Sequence, residues 1–291
     1  MLAALSACSS SVEGSGNASA GESRTEEATS AEIGETMETT VGVAPVRAEE
    51  RGPSGAPFVT KPEAGGGWGY DADTILAVRY GAHEGYERVV IDLGTGKEPA
   101  ETVPGWTLVS PAGEGLVRVT LPSVSATGVS DGKLGDGLLK SFYVVRAPEG
   151  GMFVDILARE TLAYRVLELS EPARLVVDFK PLGKPLRVPL PRAGGETVLV
   201  EPRAGARIST PLTVSGYSRN FEASNTVVLS DPRGKVVARQ TITSNDWTST
   251  WGYFEATLDL PPFSGEGTLR VGTGNARDGT FEGVEVPVRG G

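Results

Sequence analysis

Cys8, the only cysteine in the chain, is the residue whose chemistry its neighbours predict most directly. It follows Leu5, Ser6 and Ala7, one aliphatic and two small residues, which is the order that the bacterial lipoprotein signal peptidase cuts before a cysteine. The thiol of such a cysteine carries a diacylglycerol, and two or more acyl chains give stable membrane attachment. We therefore predict a lipid on Cys8, with the membrane as partner and an extracytoplasmic location on the cell membrane.

Residues 1–8 are interpreted as a truncated lipoprotein signal. A complete signal has a basic start and an apolar core of roughly 7–15 residues, whereas only seven residues precede Cys8 and none is basic. A free cysteine in a small apolar N-terminus is the alternative interpretation.

No catalytic residue is predicted. His83 is the only histidine, and it lies between two predicted strands without a Gly-x-Ser-x-Gly motif elsewhere in the chain. A solvated loop histidine is the expected state of this side chain. Among 37 acidic residues some pairs of carboxylates could always serve glycoside hydrolysis. An enzyme that hydrolyses wall glycans is therefore kept as an alternative.

No metal and no cofactor is predicted either. With Cys8 committed to lipid, zinc sites of the Cys/His kind are excluded. The stretch 131–137 has a faint likeness to a calcium loop but lacks the terminal glutamate. The run Gly94 to Lys97 lacks the full spacing of a phosphate-binding loop.

Aromatic side chains are the remaining candidates for ligand contact, because flat rings stack on the faces of sugars. Trp247 lies in the polar loop 244–250 and is the best candidate for exposure. Trp106 and Trp68 are the further candidates, in the first domain.

Length and charge set the organisation of the chain. With 291 residues there is room for two domains. The net charge of -10 and the lack of a basic cluster make nucleic acid an unsuitable partner. Residues 9–67 are rich in Ser, Gly, Thr and Glu, and nine glutamates against three arginines up to Arg51 give -6 of that charge. This segment is predicted to be a disordered acidic spacer.

From residue 71 to 181 the apolar residues alternate with a period of two, which predicts strands. The predicted strands include Trp106–Val109, Leu116–Leu121, Leu139–Arg146 and Met152–Ala158, the last two flanking a hairpin turn.

Two of the strands in this region share a pattern, Arg88-Val-Val-Ile-Asp-Leu93 and Arg174-Leu-Val-Val-Asp-Phe179. Similar demands on two sandwich strands explain the likeness better than a functional acid pair does. With the residues before them, the two stretches run from Tyr86 to Leu93 and from Pro172 to Phe179, about ninety residues apart. They resemble the AMIN-like domain of bacterial envelope proteins. That resemblance implies a β-sandwich and a role in placing proteins on the envelope, with peptidoglycan or envelope proteins as partners.

Residues 182–196 follow Pro181, carry three further prolines and are predicted to be a semi-stiff linker. Seven short predicted strands follow in residues 197–291, among them Val236–Thr243, which indicates an immunoglobulin-like sandwich. The stretches 208–223, 251–258 and 265–269 resemble the immunoglobulin-like domain of bacterial spore-germination proteins, a non-enzymatic family of exported proteins.

The sequence thus predicts an all-β fold of two β-sandwich domains, AMIN-like and then immunoglobulin-like, after a disordered tail. The function expected is non-catalytic binding or scaffolding at the cell envelope. The alternatives are a carboxylate-dependent wall glycan hydrolase and a sporulation or germination component.

Overall fold

The computed structural model describes residues 56–67, 71–274 and 279–291, so Cys8, Trp68 and most of the predicted spacer lie outside the described residues. The described chain is all-β, as predicted, and its helical content is one 3₁₀ turn, Phe221–Ala223. The described part contains no helix with the length and hydropathy of a membrane span.

The first sandwich contains twelve strands. They are β1 Glu63–Gly65, β2 Thr74–His83, β3 Tyr86–Thr95, β4 Glu98–Pro99, β5 Trp106–Val109, β6 Leu116–Leu121, β7 Ala126–Thr127, β8 Asp131–Lys133, β9 Leu139–Arg146, β10 Met152–Ala158, β11 Leu162–Leu169 and β12 Arg174–Pro181. One of its sheets has the order β11-β12-β3-β2-β7, with β4 on β3; the other runs β1-β5-β6-β10-β9, with β8 on β9. The apolar residues on the inner faces of both sheets pack in one core, which contains Ile75, Val89, Ile91, Leu108, Val119, Phe142, Val154, Tyr164, Val177 and Phe179 among others.

The shared Arg/Asp pattern of β3 and β12 aligns the two strands. In their antiparallel pairing Arg88 lies opposite Asp178, and Arg174 lies opposite Asp92. An arginine four residues before an aspartate in both strands places opposite charges together at both ends of the ladder. Like charges directly opposite each other would be destabilising, so the pattern favours this register.

The second sandwich contains nine strands. They are β13 Arg192–Gly194, β14 Thr197–Glu201, β15 Arg207–Ile208, β16 Leu212–Ser218, β17 Ser224–Ser230, β18 Val236–Thr243, β19 Trp251–Leu258, β20 Gly265–Gly274 and β21 Phe281–Gly290. One sheet has the order β15-β21-β20-β17-β18, and the other runs β19-β16-β14-β13. Their inner faces form a second core, which includes Leu199, Val214, Val227, Leu229, Phe254, Leu269, Val271, Val284 and Val286.

The two sandwiches share one continuous sheet. The start of β19 pairs in parallel with the end of β9, Trp251 opposite Val145 and Gly252 opposite Arg146. This short ladder joins the β9 sheet of the first sandwich to the β19 sheet of the second, which makes ten strands in all.

A third apolar cluster lies between the sandwiches. It is built from the outer faces of β6, β9 and β10 on one side and of β14, β16 and β19 on the other, and its buried members are Leu116, Val145, Ala147, Phe153, Leu157, Val198, Val200, Tyr217 and Trp251. The indole N–H of Trp251 donates to Asp131 Oδ1 at 3.1 Å, so this ring is also tied across the junction.

Two predicted boundaries differ from the structure. The spacer was expected to reach residue 67, but Val59 pairs with Tyr164 and β1 adds to β5, so the ordered sandwich begins by Val59. Residues 182–196 do not stand free between the sandwiches. The backbone N–H of Leu182 donates to Thr161 and that of Arg187 to Gly113, so this segment lies along the first sandwich before entering β13.

Candidate functional site

Two aromatic side chains form an exposed contact on the second sandwich. Phe221 and Trp247 are 72% and 37% exposed, and they are the two aromatic residues among the five exposed large hydrophobic side chains of the described chain. Their rings meet edge to face, with centroids 5.1 Å apart and an interplanar angle of 75°. We call this surface the aromatic platform. Large contiguous apolar patches mark interaction sites, and these two neighbouring rings make the platform the candidate for one here.

The Phe221 side of the platform rests on a buried amide network. Asn220 Nδ2 donates to Asn225 Oδ1 at 2.7 Å and to Thr197 Oγ1 at 2.9 Å, and Asn225 Nδ2 donates to Ser218 Oγ at 2.9 Å. The 3₁₀ turn that carries Phe221 has Glu222 and Ala223 in the left-handed region, with φ of 54° and 57°. Such conformations cost on the order of 1–3 kcal/mol each and persist where surrounding contacts determine them.

The Trp247 side rests on one carboxylate. Asp246 Oδ1 accepts the backbone N–H groups of Trp247, Thr248 and Ser249 at 2.7, 3.0 and 3.0 Å. Its other oxygen, Oδ2, accepts from Arg146 Nε at 2.7 Å. Burial alone would raise the pKa of Asp246, but the hydrogen bonds from Arg146 and the three backbone groups outweigh it and hold the pKa below its ordinary value.

The first sandwich holds this loop in place. Asn245 Nδ2 donates to the carbonyl oxygens of Arg146 and Ala147 at 3.2 and 3.0 Å. Thr250 Oγ1 donates to the Val144 carbonyl at 2.6 Å. The end of β9 therefore fixes both sides of a loop that belongs to the second sandwich, and the platform depends on both sandwiches.

The platform is suited to stacking rather than to bond cleavage. Two neighbouring rings on hydrogen-bonded backbone offer apolar area at little cost in side-chain entropy, because each side chain has only two torsions, and this favours ligands with a flat apolar face. Threonine and serine hydroxyls follow Trp247 in the same loop, where they can meet the hydroxyl groups of a sugar.

The other predicted contact residues behave differently. Trp106 was expected to be a ligand contact, but it is only 6% exposed, it packs in the first core, and its indole N–H donates to Glu168 Oε1 at 2.8 Å. The alternation of β5 turns this ring inward, so Trp106 is a core residue. Trp68 lies outside the described residues, as does the lipid site Cys8.

Phe221 is the platform residue that sequence reasoning missed. It belongs to a stretch that resembles a family motif, and aromatic residues in such stretches usually pack in the core. The charged neighbour Glu222 is the signal of exposure that the sequence offered, whereas the polar neighbour Asn220 is buried in the amide network.

Two fully buried carboxyl groups have arginine partners. Asp178 accepts from Arg88 Nε at 2.6 Å and from Arg165 at 2.8 Å. Asp155 accepts from Arg118 Nε at 2.7 Å, and burial raises the pKa of Asp155 against the effect of this guanidinium. Both carboxylates are shielded from solvent, so neither is placed to meet a glycan.

His83 is the last residue of β2 rather than a loop residue. Its ring stacks on Tyr86 with centroids 4.7 Å apart, and its Nε2 atom is buried without a hydrogen-bond partner. Burial and the nearby Arg88 lower the pKa of His83. Within the described residues no cluster of three or more His, Cys, Asp or Glu side chains is arranged to hold a metal ion.

The geometry defines a class, an all-β protein of two joined sandwiches with an exposed aromatic platform at the junction loop. Residues 197–280 match the family model described as the immunoglobulin-like domain of bacterial spore germination. This match confirms the resemblance predicted for the second sandwich. No curated protein and no solved structure matches the chain, and the AMIN-like resemblance of the first sandwich stays a prediction.

Proposed function

We propose that the protein is a non-catalytic binding protein of the bacterial cell envelope, which engages wall glycan through the aromatic platform. The observation that carries the proposal is the contact between Phe221 and Trp247, two exposed rings on backbone that Asp246 and the Asn220 network hold by hydrogen bonds. Because the backbone is already held, binding orders only the two side chains, and this favours a dedicated contact surface over an incidental one.

The lipid on Cys8 completes the proposal. A diacylated cysteine would hold the sandwiches at the membrane, and the acidic segment after it would keep them apart from the lipid surface. Cys8→Ala is expected to move the protein from the membrane fraction to the soluble fraction. Recovery of the variant in the membrane fraction would contradict lipid anchoring at this residue.

Co-sedimentation with purified peptidoglycan tests the platform. The full chain would carry Cys8→Ser, which leaves both sandwiches intact and prevents lipid attachment and disulfide dimers. Trp247→Ala and Phe221→Ala are each expected to weaken binding about tenfold, because an aromatic contact contributes about 0.5–1.5 kcal/mol beyond its buried area.

Val236→Ala is the matched control. Val236 is 46% exposed on the same sandwich and lies outside the platform, so its truncation should leave binding unchanged. If Trp247→Ala and Phe221→Ala bind the wall as well as Val236→Ala does, the platform is not the wall contact. Release of reducing ends from the wall during the assay would favour the alternative of a glycan hydrolase.

A sporulation or germination component is the second candidate, and the family match of residues 197–280 is the observation that favours it. Deletion of the encoding gene in a spore-forming source is expected to slow germination, measured as loss of spore absorbance. An unchanged rate would set this candidate aside and leave the envelope-binding proposal standing.

A further inference from the structure

A cleft of about 260 Å³ opens at one end of the first sandwich, on a surface that the platform does not use. Four chain segments form its walls: Thr60 in the chain before β1, the β5–β6 connection, the β10–β11 connection and the chain after β12. The volume lies just below the range of roughly 300–1,000 Å³ that holds drug-sized ligands, so a ligand of dipeptide size fits.

Backbone hydrogen bonds fix the walls of the cleft. The N–H of Thr161 donates to the Lys184 carbonyl at 3.0 Å, and the N–H of Leu182 donates back to Thr161 at 2.9 Å. The N–H of Arg187 donates to the Gly113 carbonyl at 2.7 Å. The chain after β12 is thus tied to the β5–β6 and β10–β11 connections, and these walls of the cleft are formed before any ligand arrives.

Arg187 also needs a glycine opposite it. Gly113 has φ of +83°, and a Cβ there would lie 2.6 and 2.7 Å from side-chain carbons of Arg187. The aliphatic part of Arg187 therefore crosses directly over the Gly113 backbone at the rim of the cleft.

Three charged side chains line the cleft without ion-pair partners in the described chain: Glu160, Lys184 and Arg187. Elsewhere in the first sandwich Arg79, Arg118 and several other arginines are held by carboxylates. The cleft therefore keeps two cations and one anion available. Leu182, which is 44% exposed, adds an apolar wall.

We propose that this cleft binds a short peptide in its zwitterionic form. Lys184 and Arg187 receive the terminal carboxylate, Arg187 with the fork geometry that suits a carboxylate. Glu160 receives the ammonium group, and Leu182 contacts a small apolar side chain. The inference is independent of the glycan platform, since it concerns the other sandwich and a soluble ligand.

Calorimetric titration of the full chain carrying Cys8→Ser with alanyl-alanine tests the site. Alanyl-alanine amide lacks the carboxylate and N-acetyl-alanyl-alanine lacks the ammonium, and both are expected to bind at least tenfold more weakly. Inorganic phosphate should bind more weakly than the dipeptide. Phosphate binding as tight as the dipeptide, or equal binding of the three peptides, would overturn the proposal.

Single variants assign the roles. Lys184→Met and Arg187→Met are expected to lose tenfold in dipeptide affinity while leaving the amide unaffected. Glu160→Gln is expected to bind the dipeptide and its N-acetyl form equally well. Lys97→Met, at an exposed lysine in the turn after β3, is the matched control and should change nothing. If Lys97→Met weakens binding as much as Lys184→Met, the effect is one of net charge and the site is wrong.

Discussion

Asp178 has an ion-pair partner in the fold that the sequence pattern alone does not identify. Its repeated Arg/Asp pattern was interpreted as similar demands on two sandwich strands, and the structure places both stretches in adjacent strands. The sequence does not say that the two patterns run antiparallel, because the pairing depends on a connection of about eighty residues between the strands. Only the fold shows that the arginine of one pattern meets the aspartate of the other.

Asp178→Asn is expected to destabilise the protein by about 3–5 kcal/mol, because removing one partner leaves Arg88 buried without a full counter-charge. Arg165 loses the same partner. Chemical denaturation measures the change. Asp92→Asn, at the partly exposed end of the same ladder where Asp92 accepts from Arg79, should cost about 1 kcal/mol or less. Equal losses at the two positions would contradict a burial-dependent role.

Asp246 gives the platform a dependence on pH. Its pKa in the folded protein lies below the ordinary 3.8, so the unfolded chain binds the proton first. The stability contributed by the Asp246 carboxylate is therefore complete above about pH 4 and is lost as the pH falls through the lowered folded value. The Trp247 indole N–H resonance, assigned with Trp247→Phe, should stay constant from pH 7 to 5 and shift only at lower pH. Movement of this resonance between pH 7 and 5 would mean that another group controls the loop.

Strands with local alternation were predictable from the sequence, and contacts between distant elements were not. The hairpin of β9 and β10 has the predicted bounds, because alternation and the turn at residues 147–151 are both local signals. The pairing of β9 with β19 joins residues about a hundred positions apart over only two residue pairs. No local pattern encodes a contact of that kind, and the prolines of 182–196 predicted only a semi-stiff linker between the sandwiches.

Gly252 connects the pairing of β9 with β19 to the aromatic platform. A Cβ at Gly252 would overlap the backbone of Asp246, which carries the Trp247 loop. Gly252→Ala is expected to displace the loop, destabilise the protein by about 1–3 kcal/mol and reduce glycan binding as much as Trp247→Ala does. Gly105→Ala is the control, since the nearest atom to its Cβ would be 4.0 Å away. Glycan binding that survives Gly252→Ala would show that the platform does not need the β9–β19 joint.

At the scale of the two sandwiches, the two parts of the continuous ten-stranded sheet bury each other's outer faces. Tyr217 contacts Phe153 and Tyr143 across the junction, with ring centroids 6.4 and 5.2 Å apart, and Arg118 lies 3.9 Å over the Phe153 ring. From the sequence these apolar positions are indistinguishable from inner-face positions, because β10 is apolar at nearly every residue and buried on both faces. The sequence of such a strand predicts that both of its faces are buried, but it does not predict which elements cover them.

A shared core of this kind should make the sandwiches unfold together. Calorimetry of the full chain carrying Cys8→Ser is expected to give one transition, with equal calorimetric and van't Hoff enthalpies. Phe153→Ala should cost about 3–5 kcal/mol, because the ring is buried between the sandwiches, and should divide the transition in two. Phe142→Ala removes a ring of the same size from the first core alone, so it should lower the melting temperature and keep a single transition. Two transitions before any substitution would mean that the junction contributes too little to couple the sandwiches, and the platform loop would then be held by the hydrogen bonds of Arg146, Asn245 and Thr250.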